Sequence, residues 1–111
     1  MHSIPSVATN ASFSEVVGAI SEGGRGIACI LSDGNEFVGV VTDGDLRRAI
    51  EKFGDISKVV ASDIMGNMPS TVAKDANLYE CEILMRERQL TSLIVVDGSL
   101  MPVGVIKSFD A

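Results

Sequence analysis

The residues best suited to chemistry form one short run, Val41-Thr42-Asp43-Gly44-Asp45, between a β-branched segment and an apolar helical pattern. Thr42 offers a hydroxyl, Asp45 offers a carboxylate one turn later, and Gly44 and Gly39 permit close approach to the backbone. A helix that begins here also presents unpaired N–H groups to an anion. Hydroxyl, amides and carboxylate in this order suit the phosphate and the two ribose hydroxyls of a nucleotide.

Other interpretations of the same run stay open. Thr-Asp-Gly-Asp at a strand-to-helix junction is also typical of an ordinary helix cap, in which Asp43 or Asp45 accepts bonds from backbone N–H groups and no ligand binds. A calcium loop is disfavoured, because its alternating oxygen ligands, sixth-position glycine and terminal glutamate are not in place. We expect no metal site, since the one histidine is His2 at the extreme terminus and no CxxC motif is present.

Composition excludes several functional classes. With 111 residues the chain is long enough for one compact domain, and its formal charge of -6 disfavours nucleic acid as a partner. Cys29 lies in an apolar run, and Cys81 shares a predicted helix face with Leu78, Leu84 and Met85, which favours two reduced core cysteines in a cytoplasmic protein. We find no apolar run of the roughly 18 residues that a membrane helix needs. The residue set for Ser-His-Asp or Cys-His catalysis is also missing, so we expect no catalytic residue.

The chain is an internal repeat. Residues 38–41 match residues 103–106 at an offset of 65, and residues 1–6 match residues 65–70 at an offset of 64. We therefore predict that two repeats share this compact domain, residues 1–60 as a first repeat with its connector and residues 61–111 as a second repeat. The second lacks the final helix that the first repeat contains, and both ends look cut from a longer chain.

Local patterns predict the same elements in each half. Ser12 and Glu15 form a capping-box pattern before a helix that Gly23-Gly24 ends, and Asp43 is predicted as the N-cap of a second helix. Residues 27–31 and 37–41 read as a hairpin, as do residues 92–96 and 103–106, and residues 78–85 read as a helix. Residues 54–64 form an ordered connector, with one short helical turn predicted around residues 56–60.

This arrangement resembles a tandem pair of CBS domains, also called a Bateman module. In that family the pattern glycine, hydrophobic residue, any residue, Thr or Ser, two residues and Asp lines a nucleotide site, and here the pattern runs from Gly39 to Asp45. The resemblance implies an α+β fold of two repeats, each a small sheet with flanking helices, related by a pseudo-two-fold. It also implies that Thr42 contacts phosphate and that Asp45 contacts the ribose hydroxyls.

The resemblance implies further contacts in a cleft between the repeats. The ligand-binding set is Gly39, Thr42, Asp43, Gly44 and Asp45, with base contacts around Ile4, Pro5, Ile64, Met68, Pro69, Thr91 and Ser92. The second copy departs from the pattern, because Lys107 stands where the hydroxyl residue belongs and Phe109 replaces the flexible glycine. A second site would use Lys107, Ser108 and Asp110, and we expect at most one functional site in the chain.

A closer resemblance is to the C-terminal CBS pair of the arabinose 5-phosphate isomerase family. It rests on residues 41–49, 63–65, 85–88 and 91–97. The implied function is a regulatory module that senses AMP, ADP, ATP or a cytidine nucleotide sugar, forms homodimers through its helices and follows an N-terminal sugar isomerase domain. The alternatives are a structural dimerisation module without ligand and the CBS pair of a sugar-phosphate nucleotidyltransferase.

Overall fold

The computed structural model describes residues 3–66 and 68–108, and these divide into two compact units. The first unit is Ile4–Met68. The second unit comprises residues 69–108 together with Ser3. Each unit holds a three-stranded sheet and at least one helix of eleven residues, which confirms the predicted α+β class.

The first unit has six elements in the order β, α, β, β, α, α. They are β1 (Ser6–Ala8), α1 (Phe13–Gly23), β2 (Ile27–Leu31), β3 (Phe37–Thr42), α2 (Asp43–Phe53) and α3 (Ala61–Ile64). The strand order is β1-β2-β3, with β1 parallel and β3 antiparallel to β2. The predicted start of α1 is confirmed, because the Glu15 N–H donates to Ser12 Oγ at 3.1 Å and the Ser12 N–H donates to Glu15 Oε1 at 3.3 Å.

The second unit repeats the first four elements. They are β4 (Thr71–Ala73), α4 (Leu78–Arg88), β5 (Ser92–Val96) and β6 (Pro102–Lys107). The sheet again has one parallel and one antiparallel pairing, and its hairpin register matches that of the first unit. The Asn77 side chain caps α4 by accepting the Tyr79 N–H at 2.7 Å.

Each unit has an apolar core between its helices and one face of its sheet. In the first unit Val16 of α1, Ile30 of β2 and Val41 of β3 are fully buried in one cluster. In the second unit Cys81 and Met85 of α4 pack with Leu93, Val95 and Ile106. The helical spacing of the apolar residues therefore buries one face of each helix against a sheet.

The connector after α2 belongs to the first unit. The Phe13 N–H donates to the Val59 carbonyl at 3.1 Å, and the Ala61 N–H donates to the Ala11 carbonyl at 2.9 Å. A hydrogen-bonded turn lies within the predicted residues 56–60, since the Val59 N–H donates to the Ile56 carbonyl at 3.1 Å, and the helical segment of the connector is α3. Val59 is buried and Val60 pairs with Ser12 just ahead of α1, so the helical segment begins at Ala61. Across the described part of the chain, no helix has the length and apolarity needed to span a membrane.

Candidate functional site

The junction of β3 and α2 is built around the side chains of Thr42 and Asp45. Thr42 is the N-cap of α2, so the prediction of Asp43 at that position was wrong. The Asp45 N–H donates to Thr42 Oγ1 at 3.3 Å, and the Thr42 N–H donates to Asp45 Oδ2 at 2.9 Å. These two bonds form a capping box, which requires the cap residue and its acidic partner to be three positions apart. Asp43 instead lies in the first turn, where its carboxylate is exposed.

The Asp45 carboxylate is the most heavily hydrogen-bonded group at this junction. Oδ2 accepts the Thr42 N–H and also the Thr42 hydroxyl, the latter at 3.0 Å. Oδ1 accepts from Arg48 Nη2 at 2.6 Å, which is also an ion pair. A carboxylate has about four lone-pair sites, so three are occupied and one on Oδ1 stays available. The role of Arg48 was missed, although acid and arginine three residues apart on a helix is a recognisable spacing.

At two glycines of the predicted ligand-binding set, a Cβ atom would come very close to neighbouring atoms of the protein. A Cβ at Gly39 would lie 2.9 Å from the Gly66 carbonyl oxygen, because β3 meets the connector there and the Gly66 N–H donates to the Val40 carbonyl. A Cβ at Gly44 would lie 3.2 Å from Arg48 Nη1, the flexible end of that side chain. The close approach at Gly39 is thus to the protein's own backbone, whereas Gly44 gives Arg48 room to reach Asp45.

A cavity of about 230 Å³ lies beside the junction within the first unit. Asp45 and Arg48 line it at the start of α2, and Lys52 and Phe53 line it further along the helix. Ile64 of α3 also lines it and is 9% exposed. The structure therefore brings together Asp45 and Ile64, two members of the predicted ligand-binding set.

Ile4, Pro5 and Met68, which were predicted to contact the base, are not among the residues that line this cavity. Ile4 and Pro5 are half-buried before β1, and the Pro5 carbonyl accepts the Cys29 N–H at 2.9 Å. Met68 is 48% exposed. Their proposed contacts with a base stay predictions.

The remaining predicted residues belong to the second unit. Lys107 ends β6 opposite Ser92, and the Ser108 N–H donates to the Thr91 carbonyl at 3.0 Å. This bond is the counterpart of the one from the Asp43 N–H to the Gly26 carbonyl at 3.1 Å in the first unit. Pro69 is half-buried. Asp110 lies outside the described residues, as does Phe109.

Both cysteines are buried and free, as the sequence predicted. Burial in the middle of β2 raises the pKa of the Cys29 thiol from its ordinary value of 9.0 to about 12. Cys29 is therefore a protonated core residue at neutral pH and not a nucleophile. Within residues 3–66 and 68–108, no group of three or more His, Cys, Asp or Glu side chains could hold a metal ion.

Two units that share the order strand, helix, strand, strand define a tandem-repeat α+β module, in which a capped strand-to-helix junction follows the first hairpin. The chain belongs to the CBS domain family, whose model matches residues 1–52 and 60–111.

Curated relatives match nearly the whole chain. It is 31% identical over 109 residues to arabinose 5-phosphate isomerase KpsF of Escherichia coli O6:H1, covering 98% of this chain and 33% of the relative. It is 28% identical over 107 residues to arabinose 5-phosphate isomerase KdsD of Pseudomonas aeruginosa, covering 96% of this chain and 33% of that protein. The chain thus spans about a third of the length of these curated relatives.

A solved structure of similar fold is a CBS domain protein from Pyrobaculum aerophilum complexed with AMP. It superposes with a TM-score of 0.82 at 25% sequence identity, over 99% of this chain and 84% of that chain. The superposition confirms the predicted CBS fold.

Proposed function

We propose that this chain is a regulatory module that binds a ribonucleotide through the junction of β3 and α2, within a larger cytoplasmic enzyme of the arabinose 5-phosphate isomerase type. The observation that carries the proposal is the arrangement of Thr42 and Asp45 at the start of an eleven-residue helix, with one carboxylate lone pair still available. The AMP complex of the relative from Pyrobaculum aerophilum supports an adenine nucleotide as the ligand.

Binding requires only a small rearrangement of the hydrogen bonds at the junction. When the Thr42 hydroxyl turns from Asp45 Oδ2 to a phosphate oxygen, it frees a second lone pair on the carboxylate. Asp45 then accepts both ribose hydroxyls, one on each oxygen, while its bond from the Thr42 N–H persists. The roles of the two residues are therefore coupled, since phosphate binding by Thr42 prepares Asp45 for the ribose.

Charge at the junction also favours a phosphate. Arg48 lies one turn inside α2 with its side chain 70% exposed, and its guanidinium stays within reach of a ligand near Asp45. The positive end of the α2 dipole adds to this attraction. These local charges offset the chain's overall charge of -6.

In this proposal the larger enzyme catalyses the reaction, and this chain regulates it. Its curated relatives are about three times as long and are named arabinose 5-phosphate isomerases. The resemblance to that family makes a cytidine nucleotide sugar the second ligand to test. The expected location of the ligand between the two repeats stays a prediction.

A thermal-shift panel tests the proposal. AMP, ADP, ATP, CMP and a cytidine nucleotide sugar are each added to the wild-type chain and to Asp45→Ala. A ligand at a hundred times its Kd should stabilise the wild type by about 2.7 kcal/mol, and Asp45→Ala should lose that increment.

The matched control is Glu15→Ala, which breaks the equivalent capping box of α1 away from the junction. This variant should be less stable than the wild type but should respond to the ligand as the wild type does. A panel in which no nucleotide stabilises the wild type would contradict the proposal.

A homodimerisation module is the second candidate, and exposed apolar side chains favour it. Ile50 and Phe53 of α2 are 52% and 39% exposed, and Val17 of α1 is 36% exposed. Apolar side chains on helix surfaces are typical of protein contacts. Light scattering would favour this candidate if Phe53→Asp converted a dimer to a monomer while the nucleotide panel showed no shift.

A further inference from the structure

The cavity beside α2 in the first unit combines an apolar part and a charged part, and we call it the α2 cavity. The buried part of its lining is apolar, because Ala49 and Ile64 are 4% and 9% exposed. The charged part consists of Arg48 and Lys52 on α2 and Asp63 on α3. Its volume of about 230 Å³ lies below the roughly 300 Å³ at which pockets for drug-sized molecules begin, so it suits a ligand smaller than a whole nucleotide.

Two cations on one face of α2 determine the charge of that ligand. Arg48 and Lys52 are four residues apart, so their side chains are neighbours on the helix surface and can reach one group together. Arg48 donates from Nη2 to Asp45 Oδ1 at 2.6 Å, and a guanidinium has five N–H donors in all. The Lys52 ammonium lies 5.3 Å from the centroid of the Phe53 ring, a contact that leaves N–H groups available for an anion.

The anion that fits two adjacent cations best is a phosphate. A phosphate monoester carries a charge of about -1.5 to -2 at neutral pH and has three strong acceptor oxygens. A carboxylate carries only one negative charge. The pair of Arg48 and Lys52 therefore favours a phosphate group over a carboxylate group.

The carboxylate of Asp63 requires the ligand to carry hydrogen-bond donors as well. Asp63 Oδ2 accepts the Val60 N–H at 3.0 Å, which fixes this side chain at the start of α3. The other oxygen, Oδ1, is available to accept a hydroxyl group. A simple anion would be repelled by Asp63, whereas a hydroxylated anion gains a hydrogen bond from it.

The apolar part of the lining suits the carbon atoms of a small sugar. Phe53 is 39% exposed and lines the cavity together with the buried side chains of Ala49 and Ile64. Apolar lining with a few well-placed polar groups is typical of small-molecule sites. A small polyol that carries one phosphate satisfies the cations, the carboxylate and the apolar surface at once.

We propose that the α2 cavity is a binding site for a sugar phosphate, separate from the nucleotide site at Thr42. Arg48 and Lys52 bind the phosphate, Asp63 accepts a sugar hydroxyl, and the Phe53 ring packs against the sugar carbons. The proposal does not rest on nucleotide binding, because Lys52, Asp63 and Phe53 have no part in the nucleotide site.

The test is a titration of the isotope-labelled chain with ribose 5-phosphate, followed by the amide chemical shifts. The shifts should saturate and should be largest in residues 48–53 and 61–64. Lys52→Gln should raise the Kd about fivefold or more. Lys58→Gln is the matched control, because Lys58 is exposed and is not among the residues that line the cavity, and it should bind as the wild type does. The spectrum of each variant also shows whether it is folded.

Two simpler probes separate the sugar phosphate from its parts. Inorganic phosphate and ribose should each bind about tenfold or more weakly than ribose 5-phosphate. Asp63→Asn keeps an acceptor for the Val60 N–H but removes the negative charge. This variant should bind ribose 5-phosphate more weakly than the wild type does and inorganic phosphate more tightly.

The proposal is overturned if ribose 5-phosphate does not saturate the shifts, if inorganic phosphate binds as tightly, or if Lys52→Gln and Lys58→Gln bind alike. Shifts that are largest in residues 42–45 would also overturn it, because they would place the sugar phosphate at the nucleotide junction. Saturable binding in the α2 cavity by a chain that binds no nucleotide would support it independently of the proposed function.

Discussion

At the scale of residues, Thr42 has two possible hydrogen-bonding roles, and the structure uses one of them. Its hydroxyl donates to Asp45 Oδ2 at 3.0 Å and accepts the Asp45 N–H at 3.3 Å, so the same side chain that caps α2 is the one proposed to bind phosphate. The ordinary cap that the residue types suggested is therefore present, and the proposed ligand role is built on top of it. Replacing Thr42 must affect stability as well as ligand binding.

The cap predicts a difference between two substitutions of Thr42. Thr42→Val removes the hydroxyl and should lower the free energy of unfolding by about 1 kcal/mol, whereas Thr42→Ser keeps the capping oxygen and should change it by a few tenths at most. Urea unfolding of the three proteins measures both values. Equal stability of Thr42→Val and the wild type would show that the capping bonds contribute nothing in solution.

Burial of Cys29 predicts that its thiol is inert. A pKa of about 12 leaves roughly one molecule in ten thousand as thiolate at pH 8, so a disulfide reagent should react far more slowly with the folded chain than with the unfolded chain. The Cys81→Ala variant isolates Cys29 for this measurement. Complete reaction of the folded variant within mixing time would contradict the burial of Cys29.

The spacing of the residues predicted part of the site and missed part of it. Residues 42 and 45 could be placed together from the sequence, because three positions span one helical turn. The sequence pattern predicted Asp43 as the cap, and that prediction was wrong because the Thr42 side chain also accepts backbone N–H bonds well. The pairing of Arg48 with Asp45 depends on the rotamer of a long exposed side chain, and the space beside Gly44 permits it.

At the scale of elements, strong local patterns predicted the helices and hairpins and weak ones did not predict the short strands. The helices α1 and α4 have apolar residues at helical spacing, α1 also has clear end residues, and the β2 and β3 hairpin has a turn between two apolar runs. The strands β1 and β4 have three residues each and pair in parallel with distant strands. Three residues carry no periodicity, so only the tertiary pairing identifies them.

The turn of the β5 and β6 hairpin predicts a pH-dependent stability. The Met101 and Ser99 N–H groups donate to Asp97 Oδ1 at 3.0 and 2.8 Å and lower the pKa of the Asp97 carboxyl from its ordinary value of 3.8. Because these bonds favour the ionised form, its stabilisation is present above pH 3.8 and is lost as the pH falls through the lower folded pKa.

Asp97→Ala should therefore unfold at a lower urea concentration than the wild type at neutral pH, and the difference should shrink at about pH 3. Asp33→Ala, at an exposed acid in the turn of the other hairpin, is the control. A difference between Asp97→Ala and the wild type that is the same at both pH values would show that the charge of Asp97 does not contribute.

At the scale of the whole molecule, an internal repeat gives two units of the same fold but unequal chemistry. Matching the sequence to itself was enough to predict the repeat, because residues 38–41 and 103–106 form equivalent parts of two hairpins. The hydroxyl and carboxylate pair occurs in the first unit, and Lys107 occupies the position of Thr42 in the second. One ribonucleotide per chain is the stoichiometry that this difference predicts.

The packing of the connector against the first unit could not be predicted from local patterns. The connector was expected to be ordered, but its packing against α1 depends on contacts between residues almost fifty positions apart, such as Phe13 with Val59. Long-range pairing of this kind has no local sequence pattern.

The most direct test of the account is isothermal titration of the wild type and Asp45→Ala with a ribonucleotide and its 2′-deoxy analogue, using whichever base the thermal-shift panel selects. If Asp45 accepts the ribose hydroxyls, the wild type should bind the ribonucleotide about tenfold or more tighter than the deoxy analogue, and Asp45→Ala should bind the two almost equally. Equal affinity of the wild type for both nucleotides, or the same preference in Asp45→Ala, would contradict the account.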